Sequence, residues 1–504
     1  MPSVDGVSTR PALRPSATTV AAVLLVVALR APFLGALAYP DEGGLLLVAR
    51  GWGRGGTELY GRLWVDRPPV LMLFWKVAAS LGGVSPARVL ALLDVVALVL
   101  AAVWVGRIVA GGRGARWAAV VAAALSCSPL LGADEVDAEL LAAPLVLVAC
   151  GAALRATSRS AAPPAPTRAG WALLAGASGA TALLVKQNLA DGLVFAAVLV
   201  AASALTGGCS WRAALRVFAL GLVGSLVPVA LTVLWVVSDG AGVGELFSTL
   251  FAFRVRADEV IAGASGAAPE SRLLVLLVAG AASGLLALLV ASALSLRAPR
   301  RSRGPVEAAV AAMLVFGLVS LAAGGSFWRH YLLELVPVAV LAVALLAARS
   351  WHPGAARSLI ALSVVSAVVA SGVLLLDDGY RSDQRALVAW LAAARRPDDT
   401  ALVTYGHADI VEASGLRAAA YPYVWSLPLR TWDPDLSRLT RALASPRAPV
   451  WLVEWNGVDS WGLDAHGRLA ALVGRRYREV GPVCGVPVYL RRDQPRALPS
   501  SVTC

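Results

Sequence analysis

Long apolar runs recur along this chain from Ala17 to Leu376, each closed off by a short polar loop. The runs at 18–38, 87–107, 117–132, 138–154, 170–185, 189–206, 214–237, 273–296, 306–323, 332–348 and 357–376 predict about eleven membrane-spanning helices by the twenty-residue criterion, some of them short. The run at 70–81 is too short to cross easily and is interrupted by Lys76, so an interfacial or re-entrant segment is expected. Leu45, Leu46, Leu47, Val48 and Trp52 predict a helix lying in the interface plane. After Asp377 the pattern turns soluble. Arg385 to Arg395 has helical periodicity, Ala401 to Tyr405 reads as a strand, and Pro449–Val453 and Pro487–Leu490 read as further strands, with a helix near Leu463–Val473. The expected fold is a polytopic α-helical membrane domain, 1–376, whose first outer loop is 39–86, followed by a small α/β domain, 377–504.

Composition agrees. Of the 504 residues, 58% are hydrophobic and 15% charged, with a mean hydropathy of +0.71; a soluble chain carries about a quarter charged residues. The net charge of +12 does not point to nucleic acid. The surplus arginine lies in short loops: Arg107/Arg113/Arg116, Arg155/Arg159/Arg168, Arg212/Arg216, Arg297/Arg300/Arg301/Arg303 and Arg349/Arg357. If 70–81 does not span, these loops share one side with Arg10 and Arg14, and positive charge marks that side as cytoplasmic. An odd number of spans then sends Asp377 and the tail outside. The N-terminal apolar run shows no clear small-residue cleavage site, so it reads as the first membrane helix rather than a signal peptide. Ala161 to Thr167, with three prolines, reads as a cytoplasmic linker. The five cysteines have no metal-ligand spacing; Cys127, Cys150 and Cys209 lie in or near apolar runs, while Cys484 and Cys504 could pair if the tail is extracytoplasmic.

The outer loops hold the candidate chemistry. Tyr39-Pro40-Asp41-Glu42-Gly43-Gly44 places two adjacent carboxylates at a membrane edge, where a watery cleft or bundle interior should hold them. On the same face fall Asp66-Arg67-Pro68-Pro69, Asp134-Glu135-Val136-Asp137-Ala138-Glu139, Lys186-Gln187-Asn188, the Glu245–Glu270 loop and Trp328-Arg329-His330-Tyr331. Arg30, eleven residues before Asp41, should lie roughly 16 Å into the membrane at about 1.5 Å per residue. It either pairs with Asp94 or snorkels to the cytoplasmic interface.

Arg30, Asp41-Glu42, the Gly-rich helix and Arg67-Pro68-Pro69 resemble the polyprenyl-phosphate-sugar-dependent glycosyltransferases of the GT-C class. The nearest branch is bacterial family 39, which groups protein mannosyltransferase-like, aminoarabinose-transferase-like and galacturonosyltransferase-like enzymes. Asp137-Ala138-Glu139, Lys186-Gln187 and His330-Tyr331 match later landmarks, and the resemblance covers roughly residues 17 to 350. Arg67 stands where the family usually has lysine, which keeps the charge and changes the phosphate geometry. The resemblance implies a plasma-membrane enzyme that moves a sugar, with inversion, from a polyprenyl-phosphate donor to an extracytoplasmic glycan, lipid or protein. Asp41 would be the general base. Arg67, Lys186, Arg329 and His330 would stabilise the leaving phosphate; Glu42, Asp137, Glu139, Gln187 and Tyr331 would contact sugar or acceptor. No cofactor is expected, nor a divalent metal between Asp41 and the second acidic cluster.

Each residue also has a plainer reading. Asp41 and Glu42 could mark the membrane boundary, Lys186 could snorkel, and His330 could cap a helix. Asp134 and Glu135 could be solvated loop charges, while Arg329 and Tyr331 could belong, with Trp328, to an interfacial belt. Two rival functions follow: a transporter or lipid flippase, and a catalytically silent scaffold for the tail. A transporter should show inverted repeats and midplane charges, yet only Arg30 and Asp94 lie deep in the predicted spans. The tail is expected to tune acceptor choice, since every candidate residue precedes it.

Overall fold

Helix α1 (Ala17–Arg30) starts where the Ser16 hydroxyl accepts from the Thr19 amide at 3.2 Å, and it stops fourteen residues later, when Ala31-Pro32-Phe33 tightens into a 3-10 turn. In this computed structural model the described residues are 16–53, 58–61, 63–158, 165–263, 267–297, 304–349, 352–377, 381–500 and 504. Arg10, Arg14, Arg159, Arg300, Arg301, Arg303 and most of the proline-rich linker lie outside them.

The segment 39–86, expected as a loop, is largely helical among the described residues. Pro40 occupies the first position of α2 (Pro40–Gly51), where its missing N–H costs nothing, so Asp41 and Glu42 sit in a helical first turn rather than in the expected loop. Their charge suits the positive end of the helix dipole. Lys76 of α3 (Pro69–Leu81) donates to the carbonyls of Ala49 (3.1 Å) and Trp52 (2.5 Å), serving the opposite end. At thirteen residues α3 is about 20 Å long, too short to span.

α4 (Val84–Leu125) is 42 residues long and doubles back on itself. Ala110 leaves the helical region, Gly111 takes φ +60°, and a Cβ placed on Gly106 would lie 2.5 Å from the Gly114 carbonyl oxygen. In a straight helix those glycines would be about 12 Å apart. There follow α5 (Ala138–Thr157), α6 (Ala165–Val185), α7 (Asp191–Leu205) and α8 (Trp211–Ser238). Next come the short α9 (Val243–Phe247), a π-helical turn at Ser248–Ala252 and α10 (Phe253–Gly263). The last membrane-domain elements are α11 (Ala267–Ala282), α12 (Leu285–Arg297), α13 (Pro305–Ala323), a 3-10 turn at Arg329–Leu335, α14 (Val336–Arg349) and α15 (Pro353–Leu376).

Among the described residues, seven helices are long and apolar enough to cross a membrane: Val84–Leu125, Ala138–Thr157, Thr167–Val185, Trp211–Ser238, Pro305–Ala323, Arg329–Arg349 and Pro353–Leu376. α11 and α12 meet at 70° and supply an eighth if counted as one span. The gap from about eleven has visible sources. The predicted 87–107 and 117–132 fall in the single reversing α4, and the helices at 18–38 and 189–206 are cut short. α14, apolar all round, is buried all round at the bundle centre, whereas α8 and α15 turn most of their surface outward.

The tail is a five-stranded mixed sheet of order β2-β1-β3-β5-β4: β1 (Thr400–Thr404), β2 (Arg417–Ala418), β3 (Trp451–Glu454), β4 (Tyr477–Val483) and β5 (Val486–Arg491). β1 pairs in parallel with β2 and β3; β5 runs antiparallel to β3 and β4. Helices α16 (Ser382–Ala394), α17 (Ala408–Ala413), α18 (Ser426–Trp432), α19 (Ser437–Ala444) and α20 (Arg468–Arg476) accompany it. Cys484 and Cys504 form a disulfide. Trp64 and Phe253 from the membrane domain share a hydrophobic cluster with Tyr405, Tyr421 and Tyr423, so the two halves have a common core.

Candidate functional site

Tyr39 caps α2, and the Glu42 carboxylate reaches back to accept from its amide at 2.8 Å. Glu42 is fully buried. Arg88 Nε donates to Oε1 at 3.1 Å and Nη2 to Oε2 at 2.7 Å, and the Val136 amide adds a bond at 3.1 Å. Arg88 also donates to the carbonyls of Phe33, Ala36 and Leu37 at 2.6–3.0 Å. With both oxygens engaged inside the protein, Glu42 ties the chain entering α2 to the start of α4. A hydroxyl-binding role does not fit that burial. Asp41 differs: its side chain is 36% exposed, and Arg67 Nη2 lies 3.5 Å from Oδ2.

Arg67 is held by the loop that precedes α3. Its Nη1 pairs with Asp66 at 2.7 Å, Arg254 of α10 pairs with the other Asp66 oxygen, and the Tyr60 hydroxyl donates to the Arg67 carbonyl at 2.7 Å. Burial alone would raise the Asp66 carboxyl, but the Arg254 and Arg67 guanidiniums outweigh it and hold the group below the ordinary carboxylate value. Gln187 donates to the Asp66 and Leu250 carbonyls at 3.4 Å, joining this loop to the end of α6.

The second acidic run lies between α4 and α5. Asp137 precedes the first residue of α5, and Glu139, in its first turn, forms an ion pair with Lys186. The Lys186 ammonium also stands 4.7 Å from the centre of the Tyr331 ring. His330 Nδ1 is 3.5 Å from Asp137 and 4.0 Å from Glu135. One ligand atom from each of Glu135, Asp137 and His330 fits within 4.8 Å of the others, and Asp137 Oδ2 is buried with no hydrogen-bond partner. These are the donors a divalent cation accepts. Burial first, then mutual repulsion within the acidic run, pushes the Asp137 and Glu135 carboxyls well above their usual range.

The two halves face one another. The charges acting on Arg67 are Asp66, Asp41, Tyr331 and Glu139, and those acting on Asp137 include Glu135, Glu139, Asp41 and Lys186. Asp41, Arg67, Asp137, Glu139, Lys186, Gln187, His330 and Tyr331 therefore converge. Arg329 is exposed and donates to the Pro129 carbonyl at 3.2 Å, and Glu42 is inside. Arg30 is buried, and its guanidinium donates to the carbonyls of Ser126 (3.3 Å), Ala133 (2.5 Å) and Glu135 (3.5 Å); its charge also acts on Asp94, without an ion pair among the described residues. As the last residue of α1, Arg30 thereby supports the acidic run. Asp66, Arg254, Arg88 and Tyr39, whose hydroxyl donates to Asp134, had no assigned role in the sequence. The one available signal was Arg88 itself, a cation inside an apolar run.

The helical bundle with its C-terminal sheet domain shares its fold with two solved membrane enzymes. ArnT from Cupriavidus metallidurans bound to undecaprenyl phosphate matches with a TM-score of 0.65 at 15% identity, over 94% of this chain and 97% of that one. Its apo state matches equally well at 16% identity, over 94% and 98%. The Archaeoglobus fulgidus oligosaccharyltransferase tethered with an acceptor peptide matches with a TM-score of 0.52 at 13% identity, over 92% of this chain and 72% of that one. No protein-family model and no curated protein matches the sequence.

Proposed function

We propose that this chain is an integral-membrane glycosyltransferase that moves a sugar from a polyprenyl-phosphate donor to an extracytoplasmic acceptor hydroxyl. The observation that carries the reading is the Asp41 carboxylate: part-exposed, paired with Arg67, and close enough to His330 for its charge to act on the imidazole. Asp41 accepts the acceptor's proton as its oxygen bonds to the anomeric carbon. The bond from that carbon to the phosphate oxygen breaks, and the departing charge falls to Arg67 and Lys186. Attack opposite the leaving group inverts the anomeric centre. The fold of ArnT, captured with undecaprenyl phosphate, supports the donor class. The same reading counts both arms of α4, α1 and α7 among about eleven spans and puts 377–504 outside, where a Cys484–Cys504 disulfide would persist.

The test is Asp41→Asn, assayed by transfer from a radiolabelled polyprenyl-phosphate sugar in membranes with the protein level checked in parallel. Removing a general base should cost on the order of a hundredfold to ten-thousandfold in rate. Insertion should not suffer, since a neutral amide is cheaper at this boundary than a carboxylate. Full activity in Asp41→Asn would sink the assignment and return Asp41 to a boundary marker.

A further inference from the structure

At the end of the bundle opposite Asp41 lies a cavity of about 440 Å³, walled by the last turn of α5, the start of α6, the turn that follows α7 and the first turns of α8. Glu139 opens α5 and Lys186 follows α6, so this end is about 30 Å from the candidate site, one helix length away. Its sides are apolar, with Val200, Val217 and Leu220 among them, and its polar contribution comes chiefly from Arg168, Arg216, Ser158 and Ser210. Among the described residues no carboxylate lines it. Among the described residues neither arginine makes an ion pair, and the Arg168 Nε is buried with no hydrogen-bond partner. The N-terminus of the 28-residue α8 adds positive potential to the same place, with Ser210 as its cap. An unpartnered guanidinium N–H beside a second cation is an arrangement that an anion completes.

The surroundings say what kind of anion. Val217 and Leu220 of α8 line it together with Val200 of α7, an apolar wall suited to acyl chains. Trp211 is exposed and opens α8, which sets the cavity at headgroup depth. A free phosphate would leave the apolar wall wet. A zwitterionic headgroup would bring an ammonium against two arginines. We propose that the cavity binds the phosphate headgroup of an anionic phospholipid from the leaflet opposite the candidate active site, with its acyl chains along α8. This site does not depend on the sugar-transfer reading, and its test needs no turnover.

Cys209 lines the cavity and is part-exposed, whereas Cys127 and Cys150 are buried and the remaining two cysteines are bonded. Maleimide alkylation of Cys209 therefore reports occupancy. The full chain is reconstituted in nanodiscs of phosphatidylcholine alone, of phosphatidylcholine with phosphatidylglycerol, or of phosphatidylcholine with added inorganic phosphate, and alkylation is followed by peptide mass mapping. Phosphatidylglycerol should slow alkylation roughly tenfold, the scale expected for two arginines meeting an anionic lipid, and inorganic phosphate should not. Arg168→Ala with Arg216→Ala should remove the protection, while the corresponding Lys pair, which keeps the charge and guards against a folding defect, should retain most of it. General surface charge slows alkylation equally in every variant. Equal rates in the two lipid compositions, protection by phosphate alone, or protection that survives the Ala pair would each overturn the site.

Discussion

Asp41 and Glu42 are neighbours in the chain with opposite environments, and the difference is made by a residue 46 positions away. Arg88 draws Glu42 inward and leaves Asp41 to the cleft. The sequence made the acid pair visible, but not which member faces in, because that depends on a long-range partner. Glu42→Gln should strand the Arg88 charge in the interior and cost about 3–5 kcal/mol. A thermal melt in detergent checks this; an unchanged midpoint would mean the pair carries no net stability. The second acidic run has the reverse sign. Burial, then repulsion from neighbouring carboxylates, raises the Asp137 and Glu135 carboxyls, so the folded state holds their protons more tightly than the unfolded chain does. Their contribution is fully present below the ordinary carboxylate range and is lost as pH rises through the raised values. Asp137→Asn should therefore match the parent protein in acid and melt higher at alkaline pH. A constant difference across the pH series would refute the linkage.

α2 is the element on which the site depends, and its small residues explain how it is held. A Cβ on Gly43 would run into the backbone of Asp409 in α17, and one on Gly44 would come within 2.5 Å of the Trp425 ring. Arg50, in the last turn of α2, pairs with Glu412 at 2.7 Å. The apolar stretch from Leu45 made this helix legible, but not its start at Pro40, since 39–44 read as a loop closing the preceding run. The glycines looked like loop residues because the surface they fit belongs to a chain segment more than 360 residues downstream. The α4 reversal was half legible in the same way: both apolar runs were evident, but the close approach of Gly106 and Gly114 is a packing fact. Gly43→Ala meets backbone, which cannot swing aside, so it should shift α2 and lower transfer on the order of a hundredfold, the scale of a 1 Å misplacement of a reacting group. Gly44→Ala meets a side chain and should cost less. Equal, near-full activity in both would show that the docking does not set the position of Asp41.

Across the whole molecule, β1, β3, β5, α16 and α20 lie close to where the sequence pattern put them. β4 was missed because Tyr477–Val483 carries Gly481 and Pro482 in a bulged strand. Composition could not show how closely the tail approaches the candidate site. Arg381 donates to the carbonyls of Leu37 (3.0 Å) and Ala38 (2.5 Å), pairs with Asp409 at 3.2 Å, and lies 4.8 Å from the centre of the Tyr39 ring. Tyr39 caps α2 and bonds Asp134, so one arginine of the tail touches the start of the helix that carries Asp41 and, through Tyr39, the acidic run. A tail that only selects the acceptor would be dispensable for donor chemistry; this packing argues that it positions Asp41 as well. Ending the chain after Leu376 removes Arg381, Asp409, Glu412 and Trp425 together and uncovers the glycine face of α2. Donor hydrolysis should then fall with acceptor transfer, even where the truncated protein inserts normally. Arg381→Ala separates positioning from bulk stability: kcat should fall on the order of tenfold to a hundredfold with the donor KM little changed, because geometry and not donor affinity is lost. Arg381→Lys, which keeps the charge but not the fork that spans two carbonyls and a carboxylate, should recover only part of it. If the truncated protein hydrolyses donor at the parent rate, the tail's task is acceptor choice alone, and the contacts through Arg381 hold the two halves together without tuning Asp41.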